Sequence, residues 1–256
     1  MTSRLSASID GAPEAPVVVL GSSLGTTRAM WRPQLGPLAE RFRVVRYDHL
    51  GHGASGLPPD PCTMRTLGEE LLRLLDDLNL STVSYAGLSL GGMVGMWLAA
   101  HAPERVDRLA LLCTSAWLGP AQPWRERADK VRASGTEVVA DAVVARWFTP
   151  GFAVAQPRLV AEHRAMLTST PARGYAACCE AIAAMDLRAD LSSIKAPTLV
   201  IVGADDPAIP DEHAELIVDR IAGARLCVVP DAAHLANVEQ PDRITRLLLD
   251  HFGEQS

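Results

Sequence analysis

No C-x-x-C pair occurs in the sequence, and its five cysteines (Cys62, Cys113, Cys178, Cys179 and Cys227) are an odd number. That disfavours a disulfide framework or a thiolate metal clip. Cys113 and Cys227 lie in apolar runs, where a buried free thiol packs as a small hydrophobe, and reduced cysteines lead to the expectation of a cytoplasmic protein. Positive charge is not in excess either: 24 Lys and Arg stand against 30 Asp and Glu, a formal net charge of −6. A general nucleic-acid binder needs a basic face, so no nucleic-acid partner is expected, although a local pocket could still take an anion. Apolar stretches are no longer than strands, so no membrane span is expected. The opening segment MTSRLSASIDG has no apolar run of the kind that marks a secretory leader. No H-E-x-x-H and no P-loop occurs, and no G-x-G-x-x-G opens a helix after the first strand. Neither a metal nor an organic cofactor is therefore expected.

What is present is an ordinary globular balance, 48% hydrophobic and 21% charged over 256 residues, enough for a core that folds without staples. Val17–Leu20, Arg43–Tyr47, Val83–Ala86 and Val106–Cys113 read as buried strands. A helix with leucines at helical spacing is expected from Thr66 to Leu80, and a small-residue helix from about Leu90 to His101. Strands alternating with helices imply an α/β fold, a mostly parallel sheet with helices on both faces. The alternation breaks at Gly119-Pro120. From there to about Leu187 the chain reads as helical, and strands resume at Thr198–Val202 and Ala224–Val229 before a last helix, Pro241–Phe252. The expected organisation is a core made of residues 1–118 and 188–256, interrupted by a helical cap over 119–187.

Gly87-Leu88-Ser89-Leu90-Gly91 matches G-x-S-x-G. A chain of this size shows that pattern by chance about one time in ten, so its context carries the weight. It follows a strand and opens a helix, where a serine sits on a sharp, strained turn and the helix N-terminus faces a developing oxyanion. A base and an acid must come from later in the chain. His234 follows the apolar run Cys227-Val228-Val229, and Asp205 and Asp206 follow Val202-Gly203; both segments read as loops at strand ends. Either aspartate could be the acid, and the other would serve a turn. His101, late in its helix, fits a capping role, and His49 and His52, in a Gly-rich loop, fit structural ones.

These motifs resemble those of the α/β-hydrolase superfamily: Gly87–Gly91, Gly203-x-x-Asp206-x-x-x-Pro210, His234-x-x-x-x-Glu239-x-Pro241, and the loop Asp48-His49-Leu50-Gly51-His52-Gly53-Ala54-Ser55. The resemblance implies Ser89 as nucleophile, Asp206 as the acid three residues after the glycine, His234 as base, and the backbone N–H groups of Leu24 and Leu90 as oxyanion donors. Within the superfamily the chain is similar to the 3-oxoadipate enol-lactonases. That similarity rests on Ser22-Ser23-Leu24-Gly25-Thr26 with Met30-Trp31, on Gly87–Met93, and on Ala145-Arg146-Trp147-Phe148-Thr149-Pro150. Two departures stand out. Ser22-Ser23 replace the usual His-Gly pair, and Leu50 replaces the Arg of the D-x-R-G turn, which implies that a structural ion pair there is absent.

The expected activity is opening of a small carboxylate-bearing enol-lactone in aromatic-compound catabolism. Arg146 and Trp147 are the candidate substrate contacts, and Arg125, Arg127, Arg132 and Arg173 are alternatives in the same insertion. A general carboxylesterase or a cofactor-free perhydrolase of haloperoxidase type would use the same three residues. A catalytically silent receptor would need none of them.

Overall fold

The structure, a computed structural model, describes residues 3–254; the two residues at each end of the expected core, 1–2 and 255–256, lie outside it. In chain order the elements of the first half are β1 (Ala7–Asp10), β2 (Val17–Gly21), α1 (Arg32–Ala39), β3 (Arg43–Tyr47), α2 (Met64–Asp77), β4 (Val83–Leu88), α3 (Leu90–His101) and β5 (Val106–Leu112). Five helices follow without a strand: α4 (Gln122–Ser134), α5 (Glu137–Val144), α6 (Pro150–Ala155), α7 (Pro157–Thr168) and α8 (Ala172–Ala183). The chain then completes β6 (Thr198–Gly203), α9 (Asp211–Arg220), β7 (Arg225–Val229), α10 (Ala236–Glu239) and α11 (Pro241–Gly253).

The sheet order is β1-β3-β2-β4-β5-β6-β7, with β1 antiparallel to β3 and every other pairing parallel. The central strands β4 and β6 are buried at every residue, as befits a parallel sheet covered on both faces. α3 is buried along nearly its whole length, so its small and apolar residues occupy all sides. α2 instead has one apolar stripe, and a reciprocal Thr63–Thr66 capping box moves its start to Met64, two residues earlier than expected. At the far edge β7 pairs only with β6, leaving Leu226 and Val228 exposed and Cys227 half-buried. The expectation of a buried thiol at Cys227 is thus corrected: its apolar run forms an edge strand with a neighbour on one side only. Cys113, at the end of an inner strand, is buried.

The topology also locates a crevice. β2 pairs with β3 on one side and β4 on the other, with Gly21 opposite Gly87. Strand order therefore reverses between β2 and β4, and the space outside their carboxyl ends is where open α/β sheets place ligands. The helices α4–α8 leave and re-enter the sheet at one point. Trp117 bridges to Asp186, and the Leu187 N–H donates to the Ala116 carbonyl at 2.8 Å. Among the described residues no helix is long and apolar enough to cross a membrane.

Candidate active site

Ser89 sits between the last residue of β4 and the first of α3 with φ 56° and ψ −116°. A non-glycine residue held there stores strain, and close packing enforces it. A Cβ at Gly87 would lie 2.3 Å from the carbonyl group of Gly91, and one at Gly91 would lie 2.3 Å from the Gly21 oxygen, so neither position admits a side chain. The Ser89 N–H donates to the Leu112 carbonyl at 2.9 Å, and its own carbonyl accepts from Thr114 Oγ1 at 2.7 Å. Tyr85 donates to the Gly91 carbonyl at 2.9 Å, tying the turn to the strand beneath. The Leu90 N–H, in the first turn of α3, has no intrahelical partner.

At the ends of β6 and β7, Asp206 and His234 meet: Nδ1 lies 2.9 Å from Oδ2, with the side chains 5% and 1% exposed for His234 and Asp206. Asp206 Oδ1 accepts from the N–H groups of Ala208 and Ile209 at 2.8 and 3.2 Å, so the carboxylate cannot swing away. With Nδ1–H directed at the carboxylate, Nε2 is the ring nitrogen left to face the cleft chemistry. Asp205 is exposed, and its N–H closes a turn onto the Ala232 carbonyl at 2.9 Å.

The loop bearing His234 is bolted to the helical insertion. Glu239, buried, accepts the Ala233 N–H at 2.5 Å through Oε2, and the Thr149 N–H and hydroxyl at 2.9 and 2.8 Å through Oε1. On the other side of the histidine the Leu235 N–H donates to the Trp147 carbonyl at 2.9 Å.

Ser89, His234, Ser23 and Leu24 line one cleft with about 450 Å³ of space, part of it open to solvent, which the insertion roofs with Trp124, Arg127, Arg146, Trp147 and Tyr175. Arg146 and Trp147 are thus placed at the cleft, Trp147 being almost fully buried. Of the alternative arginines only Arg127 reaches it. Arg125 and Arg173 are exposed elsewhere, and Arg132 pairs with Asp129 and Glu180. Arg127 stacks on Trp124, 4.5 Å from the ring centre. Among the described residues Arg127 and Arg146 form no ion pair with a carboxylate; the hydrogen bond Arg146 makes is to the carbonyl of its own Ala142. Burial, and then the neighbouring charge of Arg127, lower the pKa of Arg146. Beside them lies the buried Tyr175 hydroxyl, whose pKa burial raises and the neighbouring Arg127 guanidinium lowers in part. Tyr175 had no sequence signal, because α8 and α4 become neighbours only on folding.

The turn after β3 that begins at Asp48 corrects one expectation, through an arginine that follows the loop after β2. Asp48 does have an ion pair although Leu50 replaces the usual arginine: Arg28 reaches it at 2.7 Å from a short turn after the loop. Leu50 is fully buried in the apolar core. His101 Nδ1 donates to the Trp97 carbonyl at 3.0 Å, and the ring stacks on Trp97 in the last turn of α3. Among the described residues no three His, Cys, Asp or Glu side chains converge to hold a metal.

A serine at a strained strand-to-helix turn and a buried Asp–His pair at the ends of later strands, in that chain order, are the arrangement of one fold family. Residues 16–241 match the family model for the alpha/beta hydrolase fold. The chain belongs to the α/β-hydrolase family. Among members of that family it is 39% identical over 231 residues to 3-oxoadipate enol-lactonase 2 of Acinetobacter baylyi, covering 90% of this chain and 86% of the relative. The crystal structure of the enol-lactonase from Burkholderia xenovorans superposes with TM-score 0.95 at 41% identity, over 98% of this chain and 96% of that one. A RutD protein of Stutzerimonas stutzeri, named as a candidate carbamate hydrolase, is 30% identical over 250 residues, 95% of this chain and 94% of that one. This α/β-hydrolase is therefore a hydrolase with enol-lactonases among its relatives.

Proposed function

We propose that this hydrolase opens a small enol-lactone bearing a free carboxylate, 3-oxoadipate enol-lactone to 3-oxoadipate, in cytoplasmic breakdown of aromatic compounds. Residues 1–118 and 188–256 supply the chemistry, and 119–187 act as a cap that reads the substrate. Ser89 is the nucleophile, His234 the base and Asp206 the group that orients it. The Nε2 of His234 takes the hydroxyl proton as Ser89 Oγ bonds to the lactone carbonyl carbon. Asp206 stabilises the imidazolium that forms. The N–H groups of Leu24 and Leu90 hold the oxyanion. Collapse breaks the ring C–O bond and expels an enolate, which takes the proton from His234 Nε2 and becomes the ketone while tethered to the acyl-enzyme, leaving the imidazole neutral again. Water then gives a proton to Nε2 as its oxygen attacks the acyl carbon, and collapse breaks the bond to Ser89 Oγ, which takes the proton back from Nε2 and releases the acid.

One observation carries the substrate class: Arg127 and Arg146, neither paired with a carboxylate, face the same cleft as Ser89 and His234. Two like charges brought together and half removed from water raise the energy of the empty site, and an anionic ligand between them lowers it. The named enol-lactonase relatives support the same reading.

The test is a panel with purified protein: the anionic enol-lactone, a saturated lactone, p-nitrophenyl acetate, a small carbamate, and acetate with hydrogen peroxide. The expected result is a kcat/KM for the enol-lactone far above the rest. Equal turnover of neutral esters would replace this reading with a general esterase, peracid formation with a perhydrolase, and binding without turnover with a receptor.

A further inference from the structure

We propose that His49 and His52 are positioning residues for the oxyanion loop, holding the Leu24 peptide in place from both sides. The proposal rests on Leu24 N–H as an oxyanion donor.

Within the loop after β2, Thr26 ties back to the Ser23 carbonyl through its hydroxyl at 2.8 Å and its N–H at 3.1 Å, but the peptides on either side of Leu24 depend on other segments. Among the described residues Ser22 Oγ is buried without a partner, and the Ser23 N–H meets the Met30 sulfur at 3.2 Å, a weak acceptor. Two imidazoles supply the missing bonds. His49 Nε2 lies 2.8 Å from the Ser22 carbonyl, so it donates. The same carbonyl accepts the Gly91 N–H at 3.0 Å. His49 therefore meets the loop at the point where it joins α3, whose first N–H belongs to Leu90, and the two halves of the oxyanion hole share one anchor. On the other side of Leu24, the Gly25 N–H donates to His52 Nε2 at 3.0 Å, and His52 Nδ1 lies 3.1 Å from the Leu50 carbonyl. Only a neutral ring with its proton on Nδ1 can make both contacts. An imidazolium would turn Nε2 into a second donor against Gly25.

The surroundings keep both rings neutral and still. They are 2% and 0% exposed, 6.3 Å apart edge to face, with Tyr47 packed 5.1 Å from His49. Burial lowers the pKa of His49 to about 3 and lowers that of His52 as well. The segment carrying them is pinned in turn by Asp48, which takes Arg28 and the Ala54 N–H on Oδ2 at 2.7 and 3.2 Å. The Leu24 donor thus stands on a chain of fixed contacts that ends in an ion pair. A displacement of about 1 Å at a reacting centre costs up to about a hundredfold in rate, which is why a donor on a loop needs such support.

The test separates positioning from stability. p-Nitrophenyl acetate turnover and binding of phenylboronic acid, whose serine adduct places an oxygen in the oxyanion hole, are measured for wild type and for His52→Leu, His52→Gln, His49→Leu and His49→Gln. Each leucine should lower kcat and boronate affinity together, by about ten- to a hundredfold, with KM within about threefold. Each glutamine restores the lost acceptor or donor and should recover most of the loss. A leucine variant that folds and keeps wild-type kcat and boronate affinity overturns the proposal, as does a glutamine no better than its leucine. Wild-type boronate binding no tighter than that of benzoic acid overturns the oxyanion assignment itself, and the brace with it. Should a leucine variant fail to fold, ¹⁵N spectra of the wild-type imidazoles decide. The Nδ1–H tautomer for His52 and Nε2–H for His49 at pH 6 support the brace, and an imidazolium or the opposite tautomer at either ring overturns it.

Discussion

The sheet edge and the helical roof build opposite walls of one cleft by different means. At the edge, each side chain stands at a strand end: Ser89 after β4, Asp206 after β6 and His234 after β7. Their positions are fixed by backbone pairing, and the glycines that flank Ser89 leave no alternative path. In the roof, Trp124 and Arg127 come from α4, Arg146 and Trp147 from the turn after α5, and Tyr175 from α8. Those positions depend on how helices pack, and packing accepts many substitutions. On the proposed function, the edge would carry the chemistry, which tolerates no displacement, and the roof the recognition, which can be retuned.

The sharpest way to break this contrast is Ser89→Ala. The variant should fold with an unchanged melting temperature and lose kcat by roughly 10⁴-fold or more on every substrate, charged or neutral; single-turnover assays check it, and a wild-type burst would end the assignment. Next in size is the pair of aspartates. Asp206→Asn should present His234 in the wrong tautomer and cost about 10³–10⁴ in kcat, while Asp205→Asn, at an exposed turn, should cost less than about threefold. The reverse order in steady-state assays would exchange their roles.

The roof should behave differently. A charge-assisted bond to a carboxylate is worth about 1.5–3 kcal/mol, so Arg146→Ala or Arg127→Ala should lower kcat/KM for the anionic lactone by roughly ten- to a hundredfold. p-Nitrophenyl acetate should barely respond. Lysine at position 146 should rescue in part, since it offers a point charge and no planar fork. Equal losses on both substrates would mean that these arginines hold the roof together and do not read the ligand.

The same contrast sets what was legible in the sequence. Inner strands read as continuous apolar runs because both faces are covered, and the glycines around Ser89 advertise a turn that only glycine permits. Asp206 could be preferred to Asp205 only by likeness to relatives, since spacing alone does not say which carboxylate turns inward. β1 was invisible, being a short strand with no buried residue. α1 was hidden by Pro33, Gly36 and Pro37 within it. α9 carried a signal that could have been used: Asp211 and Glu212 in its first turn, just after Pro210, suit a helix N-terminus. Tyr175 had none, because nothing local marks a residue that meets its partners across an insertion. The Arg28–Asp48 pair was missed because its arginine comes from a different turn than the pattern supplies.

The smallest expected effect is on acid stability, and it belongs to the core. Burial holds His49 and His251 to pKa values of about 3 and about 4. A histidine depressed in the folded state takes up its proton first in the unfolded chain. Stability is therefore full above the unfolded value of about 6.5 and is lost as pH falls through the folded values. Melting temperatures measured from about pH 7 down to about pH 4 should decline, and His251→Gln should flatten the decline. A flat wild-type profile would mean that both rings gain solvent before the fold opens.

Glu239 binds Thr149 with one oxygen and the Ala233 N–H with the other, and that has a consequence for descent with change. A roof held only by its two chain ends could be exchanged between relatives like a lens on a mount. Here the segment that presents Arg146 and Trp147 shares a carboxylate with the peptide next to His234. An insertion that alters that segment to admit a new ligand also moves the imidazole. New specificities in this lineage should therefore arise from residues on α4 and α8, which touch the cleft without gripping His234, and the stretch from Trp147 to Thr149 should be the slowest part of the roof to drift.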